Sequence, residues 1–381
     1  MRSLFRLAPL AVAAALALSG CSLEPLFHRP AAPVPGAWPT GSAYAKEDAT
    51  SGPAAADIGW RDFLHDRRLQ RIVELALQNN RDLRIALLNV EHVRDAYRIQ
   101  HAAELPQVTL GAGENAGNHT SLVRYSTVFT ASWEPDFFGK LHSLSHEALE
   151  QYLATREAAR AAHIMLVGEV ADQYVALEGA DQQLAVTRDA LKTAQDSFHI
   201  VDLQYKGGIA SELDLRQAQT AVDLAQANEQ SQLRDRAQAE NALVLLVGQP
   251  LPADLPPAAS FDDRSVLADI PAGLPSALLE RRPDILEAEH VLRAETADIG
   301  AARAAFFPDL NLTIGAGVAS ESLSGLFSSG GLWSFAPSLV TPIFNGGALR
   351  ASLDASKVQK DIGVAQYEKM TSPGRTSFMK L

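Results

Sequence analysis

The sequence predicts a mainly α-helical fold with a small transmembrane β part, built on a duplicated helix–strand–strand–helical hairpin unit. Three observations carry that expectation. One phrase is written twice: "ELPQVTLGAG" at 104–113 and "FFPDLNLTIGAG" at 306–317 each give a proline, alternating apolar and polar residues, then Gly-Ala-Gly. Long runs of helix-forming residues pass without a proline. Four segments, each about nine or ten residues long, alternate apolar with polar side chains, the period of a strand with one buried or lipid-facing side.

The start of the chain sets the compartment. It opens "MRSLFRLAPLAVAAALALSGC", two arginines and then an apolar run from Leu7 to Leu18. That is a secretory signal, too short for a comfortable membrane helix. Leu18-Ser19-Gly20-Cys21 resembles the bacterial lipobox, in which cleavage precedes a cysteine that is then acylated. Several acyl chains on one residue anchor a protein stably, at roughly 0.8 kcal/mol per buried methylene. Ser22 after that cysteine favours sorting to the outer membrane, again by resemblance to bacterial lipoproteins. Residues 1–20 are thus expected to be the signal peptide. Residues 21–59 would be an acylated N-terminus and an extended strap, since "RPAAPVPGAWP" cannot hold helix. Cys21 is the only cysteine among 381 residues, so neither a disulfide nor a thiolate metal cluster forms within one chain. A net charge of −12 argues against a nucleic-acid partner, which needs a concentrated basic face.

Helical periodicity begins near Trp60 and runs through "DRRLQRIVELALQNN" and "RDLRIALLNVEHVRDAYRIQHAAEL". From about Asp136 to Tyr205 the composition is helical and unpunctuated. Some 65 to 70 residues at 1.5 Å each make a rod on the order of 100 Å. "KGGIASELD" breaks it: Gly207-Gly208 ends one helix, and Ser211 with Asp214 three residues on caps the next. The second rod runs to about Val247, so about 136–247 reads as a long helical hairpin.

The repeat extends beyond the opening phrase. Asp82 and Pro106 are as far apart as Asp284 and Pro308, and "WEPDFFGKL" at 133–141 answers "VTPIFNGGAL" at 340–349. Matches in the same order mark an internal duplication. Repeat 1 is expected over 60–260, with strands at about 106–115 and 124–134. Repeat 2 is expected over 261–370, with strands at about 308–319 and 332–341, followed by a divergent tail at 371–381.

In the second strand Tyr125, Thr127, Phe129, Ala131 and Trp133 share one face, and Ser126, Val128, Thr130 and Ser132 share the other. The third sets Leu310, Leu312 and Ile314 against Asp309, Asn311 and Thr313, and the fourth sets Trp333, Phe335 and Leu339 against Ser334 and Ser338. A soluble half-buried sheet alternates in the same way. Export, acylation and a strand length that spans an outer membrane when tilted favour the bilayer. Tyr125 and Trp133 would stand about 26 Å apart along their strand. With Trp333 they are candidates for the interfacial aromatic girdles. Asp309, Asn311 and Thr313 would face a pore. Four strands with two open edges cannot span a bilayer alone, because lipid leaves no backbone group unpaired. Three copies would supply twelve strands.

No catalytic group, metal site or cofactor is read. His142 and His146 stand four apart at the start of the long helix, but two ligands without a third are weak and the pair reads as solvated. "GAGENAG" lacks the spacing of a dinucleotide loop, and no phosphate loop or nucleophile elbow is present.

Lipobox, strap, duplicated units and long hairpins together resemble the TolC-like outer membrane efflux proteins, in particular the lipoprotein branch of NodT and OprM type that serves resistance-nodulation-division (RND) pumps. The resemblance rests on "LSGC", the paired strand phrases, "WEPDFFG", "YKGGIASELDLRQAQ" and "LLERRPDILEAEHVLRA". It implies a homotrimer: a twelve-stranded barrel in the outer membrane, continued by an α-helical tunnel across the periplasm. It implies a passive exit duct for drugs or other small molecules, doing no chemistry, docked to a periplasmic membrane-fusion adaptor and an inner-membrane RND pump. By the same resemblance Tyr205, Lys206, Gly207, Gly208, Ile209, Ala210, Ser211 and Asp214 form the hairpin tip that meets the adaptor. Several of these are also the residues a tight turn requires. The first copy runs from Pro135 to Gln249, whereas the second has only Pro342 to Leu381, ending in "MTSPGRTSFMKL". A C-terminally truncated product lacking the second hairpin is therefore expected. Two other readings stay open: a non-conducting, lipid-anchored coiled-coil scaffold or inactive fragment, and a type I secretion duct, against which the lipobox and strap weigh.

Overall fold

The computed structural model describes residues 22–31, 58–114, 125–257, 281–328 and 330–371. Its elements in chain order are α1 (Trp60–Phe63), α2 (Arg67–Asn79), α3 (Arg81–Ala102), β1 (Gln107–Glu114), β2 (Tyr125–Trp133), α4 (Lys140–Lys206), α5 (Glu212–Val247), α6 (Pro283–Ala304), β3 (Asp309–Ser320), β4 (Gly331–Val340) and α7 (Ala348–Thr371). The order helix–strand–strand–helix occurs twice, as α3-β1-β2-α4 and α6-β3-β4-α7. The helices that lead into the two strand pairs are both 22 residues long.

Strand ends fall within a residue or so of the alternating pattern. The long helix begins four residues later than its composition indicates, for a local reason. Gly139 sits at φ +72°, and Asp136 stays outside the helix as its cap, accepting from the amides of Lys140 (2.8 Å) and His142 (2.7 Å). α4 then runs unbroken for 67 residues, on the order of 100 Å at 1.5 Å per residue.

The described residues form two compact units, one drawn from 22–31, 88–114, 125–158, 281–328 and 330–371, the other from 58–87 and 159–257. In the first, α6 packs along α7, and the four strands form an antiparallel sheet in the order β1-β2-β3-β4.

The second unit holds a hydrophobic core. Leu166, Val170, Tyr174 and Leu177 line one stripe of α4. They meet Leu243 and Val247 of α5 and the inner face of α2, Leu69, Ile72, Val73 and Ala76. Asp66 ties this core to the chain entry: one carboxylate oxygen accepts from the amides of Arg68 and Leu69, and the other accepts the Tyr174 hydroxyl at 2.8 Å. Burial and the facing Asp66 keep that phenol protonated far above its usual range. Asp66→Ala is expected to cost about 2–4 kcal/mol, a lost cap of ~1 plus a stranded buried hydroxyl. Asp66→Asn, which can still accept both bonds, should recover most of it. The measurement is the midpoint of helix loss in detergent.

Where the hairpin returns, Asn80 donates to the Leu246 carbonyl (2.8 Å) and accepts from the Leu83 amide (2.7 Å). One asparagine therefore caps the start of α3 and satisfies a carbonyl at the end of α5.

Candidate functional site

The strand register sorts the sheet into two chemically distinct faces. Pairing aligns Val108, Ala131, Ile314 and Phe335 in one row, and Leu110, Phe129, Ala316 and Trp333 in the next. Between them lie rows of the other character, such as Thr109, Thr130, Gly315 and Ser334. The apolar rows are bare: Trp333 is 80% exposed and Val108 69%. A contiguous exposed patch of large apolar side chains on a sheet marks a surface meant for lipid or protein rather than water. The other face carries mainly small and polar residues, with Val128 and Leu332 flanking Gly317. A Cβ on Gly317 would overlap the Thr127 carbonyl oxygen, and one on Gly315 would meet the Ser334 hydroxyl at 2.6 Å. Bulk on one side and glycine on the other lets the sheet curl toward its polar face.

β1 and β4 are the edges, each with an unpaired row of backbone groups. Pro337, which has no N–H to give, lies on the edge strand β4.

Tyr125 pairs with Glu114 and Ser320 at one end of the sheet, and Trp133 with Leu312 at the other. The Trp133 indole N–H donates to the Glu104 carbonyl at 3.1 Å, giving its ring one polar and one apolar side. Trp333 falls in the Phe129 row, midway between those two ends. Asp309 opens β3 on the polar face with Asn311 and Thr313, and its carboxylate is engaged by Lys140 at 3.0 Å. Lys140 also reaches Glu134 at 3.2 Å, so one ammonium joins the end of β2, the start of β3 and the first residue of α4. Beside it Phe138 stacks on Phe307, with centroids 4.6 Å apart. Nothing in the local sequence announces this joint, whose ionic partners lie 169 positions apart.

The hairpin tip is a Schellman turn followed at once by a capping box. Gly208, at φ +77°, gives its amide to the Tyr205 carbonyl (2.9 Å), and the Ile209 amide returns to Gln204 (2.9 Å). The Ser211 hydroxyl accepts the Asp214 amide (3.2 Å), and the Asp214 carboxylate accepts from the Ser211 amide (2.9 Å). The Ser211 hydroxyl also donates to the Asp214 carboxylate (2.6 Å), and this bond, then that from the Ser211 amide, lowers the Asp214 carboxyl below its ordinary range. Lys206 is paired with Asp202 at 2.7 Å. Gly207, Gly208, Ser211 and Asp214 therefore all make the turn. The side chains left over are apolar and bare: Tyr205, Ile209 (82% exposed) and Leu213, the last of which the sequence reading had not singled out. Ala210, between them, is half-buried.

Cys21 lies outside the described residues. His142 is exposed as expected, but His146 corrects the solvated reading: it is part-buried, and Glu24 accepts from its ring. Among the described residues no group of three or more His, Cys, Asp or Glu side chains is arranged to hold a metal ion.

A four-stranded sheet with one exposed apolar face and two open edges, in a chain that also carries a long helical hairpin, is the make-up of a membrane-channel subunit. The family model described as outer membrane efflux protein matches residues 72–249 and 274–371. The chain belongs to the outer membrane efflux protein family. It is an outer-membrane channel component of an efflux system, with its helical part in the periplasm. It is 44% identical over 367 residues to the probable efflux pump outer membrane protein TtgC of Pseudomonas putida, covering 93% of this chain and 75% of that one. It is also 44% identical over 366 residues to the outer membrane protein OprJ of Pseudomonas aeruginosa, with the same coverage. Among solved structures it resembles a membrane protein from Pseudomonas aeruginosa at TM-score 0.81 and 42% identity, covering 94% of this chain and 82% of that one. It resembles the open state of the MtrE outer membrane channel of Neisseria gonorrhoeae at TM-score 0.79 and 34% identity, covering 92% and 79%.

Proposed function

We propose that three copies of this chain close their sheets, β1 of one against β4 of the next, into a single twelve-stranded barrel. The barrel is a passive exit duct for drugs or other small molecules and does no chemistry. The observation that carries this reading is the pair of open edges flanking a bare apolar face. In lipid each unpaired backbone group costs several kcal/mol, and closure by further copies removes every edge at once. Asp309, Asn311 and Thr313 then line the lumen, and Tyr125, Trp133 and Trp333 serve as aromatic contacts to the lipid. Acylated Cys21 adds a second hold on the outer membrane.

Below the membrane the helical hairpins continue the wall as a periplasmic tunnel. Its tip, Tyr205 to Ser211 with Asp214, docks a periplasmic membrane-fusion adaptor, and through it an inner-membrane RND pump that supplies the energy. The similarity to TtgC, an efflux pump outer membrane protein by name, supports these partners.

Purified chain is expected to run as a detergent-resistant trimer and to give stable conductance steps in a planar bilayer. Folded monomers that insert without conducting would overturn the duct.

A further inference from the structure

Residues 22–31 have no regular secondary structure, yet they are held at nearly every step. Gly139 and Gly300 make room for them. A Cβ on Gly139 would stand 3.1 Å from Ser22 Cα, and one on Gly300 would stand 2.9 Å from Glu24 Cα. Arg303 of α6 donates to the Leu23 carbonyl at 3.0 Å. Farther along, the Arg293 guanidinium lies 4.8 Å over the Phe27 ring, and Arg29 pairs with the buried Glu289. These contacts set the register of the strap.

The centre of this track is ionic and mostly shielded from solvent. His146 of α4 lies between two carboxylates. Its Nδ1 is 3.0 Å from Glu24 of the strap, and its Nε2 is 3.4 Å from Glu150 one turn on. From α6, His290 Nδ1 reaches the other Glu150 oxygen at 2.5 Å. The Glu150 side chain is only 7% exposed. The other charged groups along this stretch are Arg293 of α6, which acts on Glu150, Glu147 of α4 with Asp298 of α6 acting on it, Glu289 of α6 with Arg29 of the strap, and Arg303 of α6 on the Leu23 carbonyl. A ring whose two nitrogens both face carboxylates must carry a proton on each, since a neutral imidazole would set a lone pair against an anion.

We propose that the strap is held by a charge latch: a doubly protonated His146 joins Glu24 to Glu150, and loss of one ring proton frees Glu24 and the strap residues around it from α4. The attachment of the acylated end of the chain to its helices is thereby linked to proton binding. The helices are expected to stay folded when the strap leaves, because α6 packs along α7 independently of the strap.

The direction of the linkage follows from the surroundings. Hydrogen bonds donated to Glu150 and then to Glu24, outweighing burial, push His146 up to about 10. A folded-state value above the unfolded one makes the latch fully effective below about pH 6.5, and its contribution is lost as pH rises through about 10. Glu147, raised by burial and then by Asp298 to about 7, is already ionised in a window starting above pH 8.

The test uses the full acylated chain, trimeric in detergent, with a nitroxide at Leu26→Cys, a side chain 82% exposed and outside the latch. Between about pH 8 and pH 11 the mobile fraction of its spectrum should rise about tenfold or more, with a midpoint near 10. His146→Gln should be mobile already at pH 8 and flat thereafter. His146→Lys, a cation that keeps its charge to higher pH, should restore immobility and move the transition upward. A second label at the exposed Leu245 of α5 should not change over the same range. A flat wild-type profile, an unchanged transition in His146→Gln, or parallel changes at both labels would each overturn the latch.

Discussion

A Gly317→Val chain is expected to lose the β2–β3 pairing and with it any detergent-resistant assembly. Gly317 lies opposite Val128 in the ladder, and an added Cβ would overlap the Thr127 carbonyl oxygen and stand 2.7 Å from Val128 Cα. Both obstacles are backbone, so no rotamer change relieves them. Overpacking costs about 1–3 kcal/mol where side chains can give way; here the ladder itself must open, and at least about 3 kcal/mol is expected. Two neighbours calibrate the effect. A Cβ on Gly315 meets the Ser334 hydroxyl, which can rotate, and one on Gly113 meets nothing within 4 Å. Gly113→Ala should therefore assemble normally and Gly315→Ala nearly so, while Gly317→Val migrates as unassembled chain on unheated gels. Wild-type-like migration of Gly317→Val would refute this account of the sheet.

The second large effect is expected in the helical unit. Leu243 of α5 is fully buried in the cluster with Val170 and Tyr174 of α4 and Ile72 and Val73 of α2. Truncating it to alanine removes that packing and leaves a cavity which long, straight helices cannot collapse to fill, at a cost of about 2–5 kcal/mol. Leu245, two residues on and 79% exposed, is the control, and its truncation should stay within about 0.5 kcal/mol. The readout is the midpoint of cooperative helix loss in detergent. Equal shifts for the two would mean that the α4–α5 contact does not hold this unit.

Elements with a period were legible in the sequence. Alternation placed the four strands and their two faces, because a strand's side chains read out every second residue whatever its partner. The long helices were legible from composition and from the glycine pair that ends α4. What stayed hidden depends on pairs distant in the chain. Lys140 looks like any surface lysine until Asp309 is brought beside it. Gly317 is one letter of a repeated phrase until Val128 lies across from it. His146 read as solvated because the segment that brings Glu24 to it is proline-rich and aperiodic, so nothing in its pattern says where it rests. At the tip the sequence identified the turn, yet Leu213 escaped notice: its exposure follows from the capping geometry, not from its position in the motif.

That turn has a thermodynamic consequence for whatever binds it. Every backbone N–H from Gly207 to Ser211 is already committed within the hairpin, to Leu203, Tyr205, Gln204 or Asp214. Lys206 is committed to Asp202. An incoming surface finds few free donors to bargain with and meets chiefly the bare side chains of Tyr205, Ile209 and Leu213. Association at such a point draws on desolvation of carbon rather than on exchange of hydrogen bonds. Its signature is a negative heat-capacity change with little sensitivity to ionic strength.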